Sequence, residues 1–414
     1  MVGRRVAVTG LGLITPLGYG KDAFWNGLME GRSGVAPISV FDASEMPFTH
    51  AGAMPDIDFD DHFDPKETAF WSRASKVAVL GSELAAEDAG IEKFDPVRTG
   101  AIVGSGYGCM NEFEESYTAW VTRGWKRIKP VTVPKSMANA PVSQIAIRHG
   151  VRGMTFSLAT ACSSGAIAAG VAAQQIRSGA LDVCFSGGFD AILNESIFGA
   201  WCALRVLSKR DDPTASRPFS VDRDGLVFAE GCSIVILEEM EHAKARGARI
   251  YAELVGIGST CDAVNIVGPD PQGEIESIEM ALHDAGLDAA AIDYVNAHGT
   301  STKMNDANET KVLHHVFGAR AGEVPVSSIK GHIGHCMGAA GAIEVAATAL
   351  AVHHGKIPQT LHYQPGDPDC DLDYVPDGPR DVAIEHALTE SFGFGGQNSA
   401  LILRRAPATG SSSR

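Results

Sequence analysis

Cys162 lies in "SLATACSSGAIAAG" (157–170), where a Thr-Ala pair gives way to two serines and then to alanines and glycines. A cysteine in an apolar run is ordinarily a small, unreactive core residue. Here, however, "MTFSLATA" reads as a strand and "SSGAIAAGVAAQQIRSG" as a helix of small residues ended by Gly179. The thiol therefore falls at a strand-to-helix turn, beside unpaired N–H groups whose partial positive charge favours thiolate. That placement predicts a nucleophile. Partners for it appear in the second half. "YVNAHGTSTKMNDANE" puts His298 at the end of a strand, before a glycine and three hydroxyl residues, and "SSIKGHIGHCMGAAG" puts Lys330, His332 and His335 in a turn before a second helix. Glycines let backbone and substrate approach closely, and strand-end turns are where α/β proteins carry their sites. His314, His315, His353 and His354 have no such context and read as structural groups. His332 and His335, three apart, lack a third ligand at suitable spacing, so no metal is expected.

The elements that must hold these residues alternate along the whole chain. "RRVAVTG", "TGAIVGSG", "LDVCFSGG", "CSIVILEE", "IYAELVGIG", "AIDYVNAHG", "EVPVSSIKG" and "SALILRRA" read as strands between helix-like runs, which indicates an α/β protein with buried sheets. A weak echo accompanies this. "ACSSGAIAAGVAAQQIRSG" (161–179) and "MGAAGAIEVAATALAVHHG" (337–355) share Gly-Ala-Ile at one offset and a terminal glycine, while "RRVAVTGLG" and "RIYAELVGIG" open two halves alike. Duplication, with helix starts converging on one site, would produce that pattern. The expected division is 1–250, 251–408 and a small polar tail at 409–414. With 414 residues, 45% hydrophobic and 20% charged, the chain is ordinary for a globular protein with two domain-sized cores. No apolar run reaches the roughly 18–20 residues of a membrane span. Eight cysteines without CxxC pairs predict reduced thiols and a cytoplasmic setting, and a net charge of −16 argues against a nucleic-acid partner.

"TACSSG", "NAHGTST", "KGHIGHCMGAAG" and "SFGFGGQN", together with "RPFSVDRDGLVFAEG" (217–231), occur in the order and spacing of the β-ketoacyl-[acyl-carrier-protein] synthases. Over roughly residues 3–405 the chain most resembles the elongating type II enzyme, including its nodulation-type relatives. The resemblance implies a thiolase fold, two like halves in a five-layer αβαβα arrangement, a homodimer and no cofactor. It implies decarboxylative Claisen condensation of an acyl chain on Cys162 with malonyl-acyl carrier protein. His298 and His335 match the pair that stabilises the enolate, and Lys330 and Glu309 a buried pair fixing charge around them. Asp306 supports the same loop. Thr300 and Thr302 match positions that bind pantetheine amides, and Phe394 matches the gate whose N–H completes the oxyanion hole. Phe392 reads as packing, and His332 has no matching role. Tyr107 falls on a position lining the acyl pocket, where a ring would shorten it; Gln397 and Ala229 depart from the usual motif residues without touching the reaction.

An acidic carrier needs a basic face, and "RGWKRIKP" (123–130) supplies one. Lys126, Arg127 and Arg205 match carrier-docking residues of relatives. A thiolase would need a second cysteine near the C-terminus, and none follows Cys370; a starter synthase would carry Asn in place of His335. A polyketide or specialised ketosynthase shares the motifs, whereas a non-catalytic chain-length subunit would lack Cys162.

Overall fold

The computed structural model describes residues 3–406. Five strands carry the first half: β1 (Val6–Thr15), β2 (Thr99–Gly104), β3 (Thr155–Leu158), β4 (Val183–Asp190) and β5 (Gly231–Glu239). The second half has β6 (Ala252–Cys261), β7 (Tyr294–Asn296), β8 (Val326–Ser327), β9 (His386–Gly393) and β10 (Gln397–Arg405). Spatial order is β3-β2-β4-β5-β1 in one half and β8-β7-β9-β10-β6 in the other, which is a single topology used twice. The pairing senses repeat as well. β2 runs parallel to β3 and β4, as β7 does to β8 and β9, and the last two strands of each half pair antiparallel. Ala7 and Val8 of β1 pair with Glu253 and Ala252 of β6, so the two sheets join into one hydrogen-bonded sheet of eleven strands, counting a short one at Gly18–Tyr19.

The nine strands expected from sequence, the eight alternating runs and β3, are all present; β9 was not anticipated. Helix α1 (Arg73–Ala89) and α2 (Ala140–His149) cover the outer face of the first sheet, and α4 (Pro271–Ala285) and α5 (Lys303–Phe317) that of the second. Between the sheets lie α3 (Ser164–Arg177) and α6 (Ala340–His354), the two echoed segments, packed on each other in the largest core. Five layers result. Every residue of α6 from Ala340 to Val352 is buried, so the helix has no polar face to turn towards water. Contact this close requires glycine: a Cβ on Gly165 would lie 2.7 Å from Ala342 Cβ, and one on Gly341 would lie 2.8 Å from Ala166 Cβ. The echo extends to the backbone. Ala161 (φ 51°) and Met337 (φ 50°), the first residues of the two matched segments, both adopt the left-handed conformation that L-residues rarely take.

The reciprocal glycine contact gives a stability prediction. Gly165→Ala should lower unfolding free energy by about 1–3 kcal/mol through overpacking, read as a shifted denaturant midpoint.

Candidate active site

Cys162 stands in the β3–α3 turn, and His335 in the corresponding turn between β8 and α6; His298 follows β7 and Phe394 follows β9. Duplication therefore brings four strand ends to one place. Cys162, His298 and His335 line a single cavity of about 320 Å³ with Thr300, Thr302 and Phe394. The two histidine rings stand edge to face at 5.5 Å, and Phe392 packs against His298 at 5.8 Å. Phe392 thus packs, as expected, but on a site residue and in the cavity wall.

Electrostatics separate the roles open to these groups. Burial, with the nearby Lys330 charge second, holds both His298 and His335 far below the ordinary histidine range, so both are neutral at pH 7. Lys330 Nζ lies 3.4 Å from His298 Nδ1 and also donates to the His298 carbonyl. An ammonium has only donors, so Nδ1 must accept and Nε2 must carry the proton. His335 is set as a bridge residue: its N–H donates to Val227 O (2.8 Å) and its carbonyl accepts from Ala229 N (3.0 Å). Its Nδ1 is buried without a hydrogen-bond partner among the described residues.

The helix start was expected to favour thiolate at Cys162. The resting group is instead a thiol. Burial pushes it up to about 11, outweighing the opposing pull of Lys330 and of the Phe394 N–H directed at the sulfur. The Lys330–Glu309 pairing is also corrected. Lys330 is ion-paired with Glu344 of α6, both wholly buried. Glu309 instead receives the N–H groups of His298 (2.6 Å) and Gly299 (2.7 Å), clamping the histidine's backbone from below. A lone acid inside the apolar α6 was the sequence signal for Glu344, and it went unread. Asp306 does brace the loop, through Phe219 N (2.7 Å) and Arg223 at 3.5 Å.

The remaining candidates divide. Thr300 and Thr302 face the cavity with their hydroxyls 2.9 Å apart, and Thr302 also caps α5. Tyr107 is not in the cavity wall. Its hydroxyl accepts from Trp201 Nε1 at 2.8 Å, and it is Trp201, missed in the sequence, that reaches the cavity and stacks on Phe394 at 6.0 Å. Lys126 and Arg127 sit in a fully exposed stretch, away from the cavity wall. Arg205 is exposed between Leu204 and Val206, both of which line the cavity, and so marks its rim. His332 plays no part in the site. Its ring spans the carbonyls of Arg32 (3.0 Å) and Gln359 (3.1 Å), and burial lowers it to about 4.

Residues 3–243 match the family described as Beta-ketoacyl synthase, N-terminal domain, and residues 251–364 its C-terminal domain. The chain belongs to the β-ketoacyl synthase family. Among curated relatives, a 3-oxoacyl-[acyl-carrier-protein] synthase 2 of Synechocystis is 40% identical over 97% of this chain and 98% of its own. The Coxiella burnetii enzyme of that name is 38% identical over 97% and 99%. Solved structures agree. The ishigamide ketosynthase/chain length factor superposes with a TM-score of 0.92 at 33% identity, over 98% of this chain and all of the other. A type II polyketide ketosynthase in complex with its acyl-carrier protein gives 0.90 at 33% identity, with the same coverage. These neighbours are ketosynthases of the thiolase fold, which the doubled strand order here reproduces.

Two outcomes follow from the site. Alkylation of Cys162 by iodoacetamide, followed by peptide mass spectrometry, should keep accelerating as pH rises towards about 11, because only the thiolate reacts and its formation is delayed by burial. His332→Ala should cost about 1–3 kcal/mol in chemical denaturation, because the neutral ring's single N–H is lost to the carbonyl it serves, while decarboxylation per folded molecule stays at the wild-type rate.

Proposed function

We propose that the protein is an elongating 3-oxoacyl-acyl carrier protein synthase, an acyltransferase that condenses a Cys162-bound acyl chain with malonyl-acyl carrier protein. The convergence of Cys162, His298 and His335 on one cavity, with the Phe394 N–H on the sulfur, carries this reading. In the first half-reaction the Cys162 thiol gives its proton to neutral His335 as sulfur attacks the acyl thioester. The Cys162 and Phe394 N–H groups receive the oxyanion, and the carrier thiolate leaves with the proton. In the second, malonyl carrier loses carbon dioxide, and the electron pair of the broken C–C bond passes to an enolate oxygen. His298 Nε2–H, fixed in that tautomer by Lys330, donates to this oxygen, and His335, whose Nδ1 has no partner to lock its tautomer among the described residues, joins it in the form that carries its proton on Nε2. The enolate carbon attacks the acyl-cysteine carbonyl, the new C–C bond forms as the C–S bond breaks, and Cys162 leaves as a thiolate that takes a proton from solvent.

Thr300 and Thr302 fit the pantetheine amides, and Tyr107, acting through Trp201, closes the acyl pocket. Lys126, Arg127 and Arg205 supply the positive face an acidic carrier needs on a protein of net charge −16. A homodimer is supported by an apolar face on the helix Met110–Arg123 and beyond it: Phe113, Tyr117, Trp120 and Trp125 are each more than half exposed. The chain divides into its two halves at 250/251, between β5 and β6. Its eight unpaired cysteines suit the reducing cytoplasm. Among the described residues no helix is long and apolar enough to cross a membrane.

The test is direct. Incubation with acyl carrier should place the acyl group on Cys162, and Cys162→Ala should abolish condensation while malonyl decarboxylation persists. His298→Ala and His335→Ala should each reduce decarboxylation by about 10²–10³-fold. An acyl adduct on Cys109 or Cys336 with Cys162 unmodified would overturn the assignment. Tyr107→Ala should lengthen the longest primer accepted, since removing the phenol releases Trp201 from the pocket; an unchanged maximum would show that the ring does not set the limit.

A further inference from the structure

Asp190, the last residue of β4, is wholly buried and accepts four hydrogen bonds. Ser105 Oγ (2.6 Å) and Tyr107 N (3.1 Å) donate to Oδ1, and Gly106 N (3.0 Å) and Gly338 N (2.6 Å) to Oδ2. Ser105 Oγ in turn accepts from Gly108 N at 2.7 Å. One carboxylate thus ties together two segments from opposite halves. The first is the 105–108 loop, which carries Tyr107 and hence the Trp201 wall. The second is the turn that carries His335 and opens α6. The nucleophile's turn abuts the same point: a Cβ on Gly106 would lie 3.1 Å from Asp190 Oδ2 and 3.8 Å from Ala161 O.

No ion pair compensates this acid among the described residues, which is a costly arrangement for a buried carboxyl. Burial raises Asp190 to about 6 despite its four donors, so it is charged at neutral pH. The titratable groups that face it are Tyr107, Cys109, Cys162 and Cys336, and its charge opposes ionisation of each. At Cys162 that effect is countered by the Lys330 charge. Neither Asn nor a neutral carboxyl can replace it, because every partner is a donor and four donors need an acceptor-only group.

We propose that Asp190 is a positioning residue for condensation: its carboxylate, bonded at once to the 105–108 loop and to the turn that opens α6, sets the inner wall of the acyl pocket relative to Cys162 and His335. This rests on the ketosynthase reading above. The experiment uses the full-length Asp190→Asn and Ser105→Ala variants with two readouts: iodoacetamide alkylation of Cys162 against pH, and the range of primer lengths extended. Asp190→Asn should extend longer primers than wild type, and should alkylate faster at mildly alkaline pH because the carboxylate opposes ionisation of the thiol. Ser105→Ala keeps the charge, so it should move primer length and leave the alkylation profile in place. Lowered stability with both profiles unchanged would reduce Asp190 to a structural anchor and overturn the proposal. Should Asp190→Asn fail to fold, an unchanged primer range in Ser105→Ala overturns it as well. A wild-type chain that neither acylates Cys162 nor condenses would remove the ketosynthase reading itself. Condensation by the wild type with both variants unaffected would remove only the role of Asp190.

Discussion

A buried ammonium governs this site. Lys330 is enclosed, and its ion pair with Glu344 recovers only part of the cost of taking two charges out of water. What that cost accomplishes is visible in its neighbours. The same Nζ fixes the tautomer of His298, adds to burial in keeping His298 and His335 neutral, and draws Cys162 towards thiolate against the effect of burial. Chemistry that alternates between a thiolate and an enolate passes through two anions. A fixed cation behind the histidines serves both without contacting either as a proton donor. Glu344 lies on α6 and Lys330 in the turn before it, so this charge is held by the helix whose start the site uses.

Duplication explains why the remaining groups arrive from so many places in the chain. Each half offers the ends of its strands at the same edge, and stacking α3 on α6 brings the two edges together. Cys162 occupies the turn before the middle helix in the first half, and His335 occupies the turn in the second. The left-handed residues Ala161 and Met337 sit at equivalent points of these turns. Backbone strain at a turn is retained where the surroundings over-determine it. Here those surroundings are two helices in glycine-mediated contact, with no room for a Cβ on either side.

Much of this was legible in the residues. Buried strands read as apolar runs, and nine of the ten were found that way. β9 was missed because Thr389, Glu390 and Ser391 interrupt its apolar pattern, although all three are buried. The chemistry-bearing residues stood out because each lies among small residues at a strand end. Partnerships were harder to read. Nothing in the spacing distinguishes Glu309 from Glu344 as the partner of Lys330, since the choice depends on how α5 and α6 pack against the turn. Tyr107 was read as lining the acyl pocket, whereas the fold interposes Trp201, ninety-four positions away along the chain, between it and the cavity. The thiolate inference failed because helix position is written in the sequence and desolvation is not.

The join between β1 and β6 bears on how such a molecule comes into being. β1 is made first, and apart from its end at Ile14–Thr15, which pairs at once with Gly18–Tyr19, its edges wait more than two hundred residues for β5 and β6. Contacts between such distant segments slow folding and expose strand edges meanwhile. The apolar flank of α3 waits equally long for α6. During synthesis the first half is therefore a sheet with one bare edge and one bare face, and it is completed only when its counterpart emerges. The cavity and the closed core between α3 and α6 therefore form together, late in synthesis.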